Sequence, residues 1–227
     1  MHVIEIGPGL GALTLPLLSN LDQLDLLEID RDLVAFWNEK NLKGLTVIEG
    51  DALQFDFLIW AQDRTAKQGL CKVVGNLPYN ISSPLLFHLV AAASHIDEQV
   101  FMLQAEVVER MVAKAGSSDF SRLSVMLQAR YDMELVLEVP PEAFDPQPKV
   151  NSAVVRMIPR SNFALTNAQW SSLEKIVAAA FSQRRKMLRT NLSAYADRLS
   201  LTETELKARA QDISVDRYIE WAKALAS

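Results

Sequence analysis

Asn76-Leu77-Pro78-Tyr79 puts a side-chain amide, a proline and an aromatic ring on four consecutive positions. The Asn76 side-chain oxygen and the Leu77 carbonyl can each accept one N–H of a primary amine. That matters for an amine on a planar base, such as the N6 amine of adenine, whose lone pair is delocalised into the ring. Two acceptors favour the pyramidal form, in which the lone pair is localised and aimed at a sulfonium methyl. Pro78 has no N–H and a fixed φ, which holds the loop carbonyl in place. The Tyr79 ring offers a stacking face to a base turned out of its helix. Catalysis of this kind is orientation plus hydrogen-bond polarisation, and the cationic sulfonium drives the transfer. No general base is required, because the methylated amine is acidic enough to give its proton to water. The same four residues in another place would be an ordinary turn. Their position at the end of a strand, downstream of a glycine loop, favours the chemical reading.

That loop is Glu5-Ile6-Gly7-Pro8-Gly9-Leu10-Gly11, between a strand and a helix. Glycines there permit positive φ and close approach of the backbone to a ligand. On its own the loop is ambiguous, because Gly7, Gly9 and Ala12 also satisfy a dinucleotide-binding spacing. Glu28 lies 21 residues after Gly7, at the end of the second strand, where a carboxylate can accept both ribose hydroxyls of NAD or of S-adenosylmethionine. The bland alternative is a charge exposed at a strand end. Asp51, after the third strand, has no standard task in a nicotinamide site but can accept a hydrogen bond from a cofactor's adenine amine. It could equally be a cap or turn residue. The tetrapeptide breaks the tie toward a methyl donor.

The elements that must position these residues alternate strand and helix over the first 110 residues, as a parallel α/β sheet requires. Strands are predicted at 2–6, 24–29, 45–49, 71–75 and 100–104, with helices at about 12–19, 32–40, 84–93 and 106–115. The apolar stretches 123–128, 135–139 and 152–158 read as extended segments at an antiparallel end of the same sheet. A polar linker follows from Pro159 to Asn167. Leu173, Ile176, Val177, Ala180, Phe181 and Leu188 then keep helical spacing, and shorter helices near 202–210 and 214–226 complete a helical domain. The expected domains are residues 1–160, carrying the site, and residues 161–227.

Of 227 residues, 49% are apolar and 22% charged, an ordinary globular balance. No apolar run reaches the roughly 18 residues of a membrane-spanning helix, and no secretory signal pattern opens the chain. Cys71 is the only cysteine, which excludes an internal disulfide, and with three scattered histidines it leaves no structural zinc set and no expected metal. The cytoplasm is the expected compartment. The net charge of −5 does not advertise a polyanion partner, but its distribution does. Residues 162–227 hold 10 basic and 7 acidic side chains, against 13 and 21 in residues 1–161. Arg184, Arg185, Lys186 and Arg189 fall within six residues, as cations on a helix flank that could meet phosphates or be merely a solvated face.

Taken together, the motifs resemble the KsgA family of small-subunit ribosomal RNA adenine dimethyltransferases. The matching stretches are Glu5–Thr14, Glu28-Ile29-Asp30-Arg31, Gly50-Asp51-Ala52, Gly75–Pro84, Met102-Leu103-Gln104, Arg122-Leu123-Ser124-Val125, Val139–Phe144, Pro148–Val155 and Phe181–Arg185. The resemblance implies a Rossmann-like class I methyltransferase sheet with a small all-helical C-terminal domain. It implies S-adenosylmethionine as cofactor, held by Gly7, Gly9, Glu28, Asp51 and Asn76. The implied substrates are two adjacent adenosines near the 3′ end of small-subunit rRNA, each methylated twice, in the assembling 30S subunit, by a protein expected to be monomeric. Phe144 becomes a candidate second stacking face (or a core aromatic), Lys149 sits in the segment beside the target-base pocket, and the basic cluster becomes an RNA contact.

Two departures accompany the resemblance. Family members carry a leading segment with a Gly-Gln-Asn-Phe-Leu-like stretch that closes over the cofactor, and this chain begins at the first strand, so weaker hold on the cofactor is expected. Ser121 stands where the family has glycine before Arg-Leu-Ser-Val, which asks whether the backbone turns alike there. Two alternatives follow: a noncatalytic assembly factor, and a large-subunit rRNA adenine methyltransferase of the antibiotic-resistance type. A nicotinamide dehydrogenase ranks last, since no hydride-transfer acid is offered.

Overall fold

The computed structural model describes residues 1–66, 69–161 and 165–226. Strands β1 (His2–Ile6), β2 (Leu24–Glu28), β3 (Leu45–Glu49), β4 (Cys71–Asn76), β5 (Glu98–Gln104), β6 (Tyr131–Val139) and β7 (Ser152–Pro159) form a sheet in the order β3-β2-β1-β4-β5-β7-β6. The first five pair in parallel, and β7 runs antiparallel to β5. Strand order reverses between β1 and β4, so a crevice opens beyond their carboxyl ends, the usual ligand position in such sheets. β1 and β2 are buried on both faces, which is why they read as continuous apolar runs rather than alternating ones.

Helices α1 (Thr14–Leu18), α2 (Arg31–Lys40), α3 (Phe57–Thr65), α4 (Ser82–Leu89), α5 (Ala105–Val112), α6 (Arg122–Gln128), α7 (Asn167–Ala180), α8 (Leu188–Asn191), α9 (Ala196–Leu199), α10 (Glu203–Lys207) and α11 (Val215–Ala226) complete the chain. Asp30 caps α2 by accepting from the N–H groups of Asp32 and Leu33. α3 was not singled out in the sequence pattern. Asp56 caps it through Ile59 N–H, and Trp60 Nε1 and Arg64 Nη2 donate to the buried Asp25 carboxylate of β2 at 2.8 and 2.9 Å. Cys71 is fully buried, and that burial pushes its thiol up to about 11, so it is inert packing.

The chain divides into two compact units, Met1–Val108 with Asp132–Pro159 and Glu109–Tyr131 with Arg160–Ser227. The sheet-bearing unit ends at Pro159. The stretch 109–131, however, groups with the helices and not with the sheet. The expectation of an extended 123–128 is corrected accordingly: these residues form α6. Leu123, Ser124, Val125, Met126 and Leu127 are all buried, so the helix is enclosed on every side and shows no amphipathic period to read. Gln128 Nε2 donates to the carbonyls of Met111 and Ala113, and Phe120 packs near Phe181, contacts that all lie inside the second unit. Ser121 has φ −149°, extended backbone that needs no glycine, and its N–H donates to Ser124 Oγ.

A second correction concerns the helix expected to run from Leu173 through Leu188. Leu173, Ile176, Val177 and Ala180 are its buried stripe, but α7 stops at Ala180. Asn191 Nδ2 donates to the Ala180 and Gln183 carbonyls at 2.6 and 3.1 Å, and Ser182 Oγ donates to Ala179 O, so side chains take over the orphan carbonyls of the helix end. Phe181 instead stacks against Tyr218 at 6.1 Å between centroids. Residues 162–164 of the polar linker lie outside the described residues.

Candidate active site

The loop after β1 is held open by its glycines. Gly7 and Gly9 take φ +65° and +53°, and a Cβ at either would find no atom within 4 Å. Bare backbone therefore faces a cleft of about 760 Å³ whose lining includes Glu5, Gly7, Gly9, Val74, Asn76 and Met102. Gly7 N–H donates to Leu27 O at 3.0 Å and Gly50 N–H to Glu28 O at 2.9 Å, which ties the ends of β1, β2 and β3 together. The loop is also braced from below. Trp37 Nε1, on α2, donates to the Gly9 carbonyl at 2.9 Å. Gly11 has φ +97°, and a Cβ there would lie 2.5 Å from the Trp37 ring.

Glu28 and Asp51 stand at the ends of β2 and β3, outside the lining of that cleft. Glu28 is buried, and its Oε1 accepts from Ile29 N–H at 2.8 Å and Asp30 N–H at 3.0 Å. Asp51 Oδ1 accepts from Leu53 N–H and Oδ2 from Gln54 Nε2, so it serves as a turn residue here. The structure thus brings Gly7, Gly9 and Asn76 onto one cleft and places the two carboxylates on neighbouring strand ends.

Glu5 was not singled out as a site residue. It is 1% exposed, it lines the cleft, and its Oε2 has no hydrogen-bond partner among the described residues. Burial raises its carboxyl to about 7, and the neighbouring Thr14 hydroxyl pulls weakly the other way. Because the folded state holds this proton more tightly than the unfolded chain, the contribution of Glu5 to stability is fully present below about pH 4.5 and is lost as pH rises through about 7. Glu5→Gln should therefore melt higher than the unaltered chain at pH 8, with the two curves converging at pH 4 in a thermal scan. The visible signal was a lone acid among apolar residues in a doubly buried strand.

At the end of β4, Gly75 packs so close to β1 that a Cβ would lie 2.7 Å from the Ile6 carbonyl. Asn76 follows, exposed, with no partner for its side chain among the described residues. Leu77 is buried and its N–H donates to Met102 O at 3.1 Å, which fixes the peptide that follows Asn76. The Pro78 carbonyl accepts from Ser82 Oγ at 3.0 Å and Ile81 N–H at 3.2 Å. Tyr79 is 40% exposed, a ring open to stacking, and its Oη lies 3.2 Å from Ser152 Oγ. The open Asn76 amide lines the glycine-walled cleft, and the locked Leu77 peptide and the exposed Tyr79 ring follow it directly along the chain.

A family profile described as ribosomal RNA adenine dimethylase matches residues 1–227. The chain belongs to the ribosomal RNA adenine dimethylase family. It is 54% identical to the ribosomal RNA small subunit methyltransferase A of Bordetella petrii, over 99% of this chain and 84% of that protein. It is 51% identical to the enzyme of the same name from Cupriavidus taiwanensis, over 98% and 82%. Among solved structures, a dimethyladenosine transferase from Plasmodium falciparum superposes with TM-score 0.79 at 24% identity, covering 97% of this chain and 88% of that one. The 23S rRNA methyltransferase ErmE gives 0.69 at 24%, covering 100% and 91%. These two likenesses establish the fold, a Rossmann-like methyltransferase sheet with a helical C-terminal region. S-adenosylmethionine is the cofactor of the dimethylase family.

The residues present fit that cofactor. Unobstructed glycine backbone can approach it, and Glu5 Oε2 is a buried acceptor suited to an ammonium. Among the remaining sequence candidates, Phe144 is half-buried and Lys149 exposed, on the segment leading into β7. Arg184, Arg185 and Lys186 lie in the turn after α7, and Arg189 on α8, so the cluster is a turn and not a helix flank. All four are exposed. Arg184 Nη2 donates to Ser118 O at 2.6 Å, while Arg185, Lys186 and Arg189 have no partner among the described residues. No cluster of His, Cys, Asp or Glu among the described residues could hold a metal, and no described helix is long and apolar enough to cross a membrane.

Proposed function

We propose that this chain transfers methyl groups from S-adenosylmethionine to the N6 amines of two adjacent adenosines near the 3′ end of small-subunit (16S) rRNA. The product is N6-dimethyladenosine, made in the assembling 30S subunit by a cytoplasmic monomer. The observation that carries the reading is the Asn76 amide, exposed, without an internal partner and lining the glycine-walled cleft, three residues before the exposed Tyr79 ring.

The cofactor, when bound, supplies an electrophilic methyl on a cationic sulfur. Gly7, Gly9, Glu28, Asp51 and Asn76 are the residues to hold it, with Glu5 added for its ammonium end. Asn76 Oδ1 and the Leu77 carbonyl each accept one N–H of the adenine amine. The Leu77 N–H bond to Met102 and the Pro78 carbonyl bonds keep those acceptors from reorienting during transfer. Tyr79 stacks on the extruded base, with Phe144 as the second face and Lys149 near the sugar-phosphate chain.

Arg184, Arg185, Lys186 and Arg189 supply phosphate contacts. Replacing Arg185, Lys186 and Arg189 together by alanine should weaken subunit binding and reduce the slope of log affinity against log salt by about 2 to 3. An unchanged slope removes this turn from the interface. The function itself is tested by incubating immature 30S particles with labelled cofactor and identifying the modified nucleoside. Formation of N6-dimethyladenosine at adjacent 3′-proximal positions is expected, and its absence would refute the assignment. The large-subunit reading has weaker support, since the 24% identity to a 23S rRNA methyltransferase speaks for the fold alone.

A further inference from the structure

Tyr79 sits on an exposed loop, and an aromatic ring there ordinarily has rotamer freedom to lose before a base can stack on it. Here the hydroxyl is tethered. Tyr79 Oη lies 3.2 Å from Ser152 Oγ, within hydrogen-bond reach with either group as donor. Ser152 is 1% exposed, and Tyr79 is its side chain's hydrogen-bond partner among the described residues.

The anchor is itself rigid. Ser152 opens β7 and stands opposite Gln104 on β5, and the Asn151 carbonyl before it accepts from Ala105 N–H at 2.9 Å. On the other side of β5, Met102 is the register partner of Asn76 and accepts the Leu77 N–H. The two acceptors for the amine and the tether for the ring are therefore referenced to the same strand. A shift of the ring relative to Asn76 would require breaking the β5–β7 ladder or the tether.

We propose that Ser152 is a positioning residue, whose hydroxyl fixes the Tyr79 ring as the platform for the target adenine. The inference rests on the methyl-transfer reading and adds to it a residue that touches no reacting atom. A hydrogen bond of ordinary strength in this role corresponds to a change of about three- to tenfold in rate.

The test compares Ser152→Ala, Tyr79→Phe and the double variant in single-turnover methyl transfer to immature 30S particles. Each single change should slow transfer about three- to tenfold, and the double should be no slower than either, because both remove the same bond. Cofactor affinity by calorimetry should be unchanged in all three. Ring-carbon NMR relaxation of the aromatic ring at position 79, measured without substrate, should show increased mobility in Ser152→Ala and Tyr79→Phe alike. Multiplicative losses in the double variant overturn the proposal, since they would mean Ser152 acts on β7 and not through the ring. So does an unaltered transfer rate in Ser152→Ala, whatever the ring mobility. Tyr79→Ala separates this failure from that of the parent reading: if it abolishes transfer while Ser152→Ala is silent, only the positioning role falls.

Discussion

Asn76→Ala is expected to leave the protein folded and its melting temperature unchanged while lowering single-turnover methyl transfer by roughly 10²- to 10³-fold, the usual cost of removing one preorganised hydrogen-bond group at a reacting centre. The two halves of this expectation come from the same observation. The side chain is exposed and bonds to nothing else in the described residues, so truncating it leaves no buried group unsatisfied and no cavity. What it loses is an acceptor for an amine N–H that matters most as the nitrogen pyramidalises. At saturating cofactor the loss should therefore fall on the rate and not on rRNA affinity, with kcat and kcat/KM for the rRNA reduced together. Circular dichroism, a urea melt and single-turnover kinetics on the same preparation would check it. A variant that transfers methyl groups at the unaltered rate would show that the amine is activated elsewhere.

Much of the fold was legible because short strands separated by helices have a distinctive apolar rhythm: β1 and β2 are buried on both faces, and β4 and β5 alternate. The glycine loop and the tetrapeptide were legible for a related reason, since positive φ and a proline-fixed loop demand residue types that stand out. What was not legible depended on contacts distant in sequence or on helices without a period. α6 is buried all round, so its apolar run looks like a strand. α3 had a cap at Asp56 and a stripe of Phe57, Trp60 and Ala61, but Leu58 and Ile59 between them blurred the spacing. The end of α7 is decided by Asn191, eleven residues beyond Ala180, which no local propensity announces. The same holds in the site. Glu5 and Ser152 are polar residues inside strands, and only the sheet order reveals that one faces the cleft and the other reaches Tyr79.

Trp37 is the sharpest instance, because it lies 28 residues from the carbonyl it supports. It is 1% exposed and packs in a cluster with Val3, Leu24 and Leu26, so Trp37→Ala should cost about 3–5 kcal/mol of folding stability in a urea melt. The effect should not stop at stability. The indole N–H satisfies the Gly9 carbonyl, and the ring edge fills the space a side chain on Gly11 would need. Without them the loop keeps its permissive glycines but loses the surface that selects one conformation of them. Trp37→Phe shifts the balance between the two roles, since it keeps an aromatic ring in the cluster but removes the N–H and the ring edge beside Gly11. It should lower stability by less than Trp37→Ala and yet weaken S-adenosylmethionine binding several-fold by calorimetry, because the loop must then be ordered at the expense of the ligand's own binding energy. Unchanged cofactor affinity in Trp37→Phe would mean that the loop holds its shape through φ preferences alone. A loss comparable to that of Trp37→Ala would instead place the whole effect in the bond to Gly9 and the ring edge at Gly11.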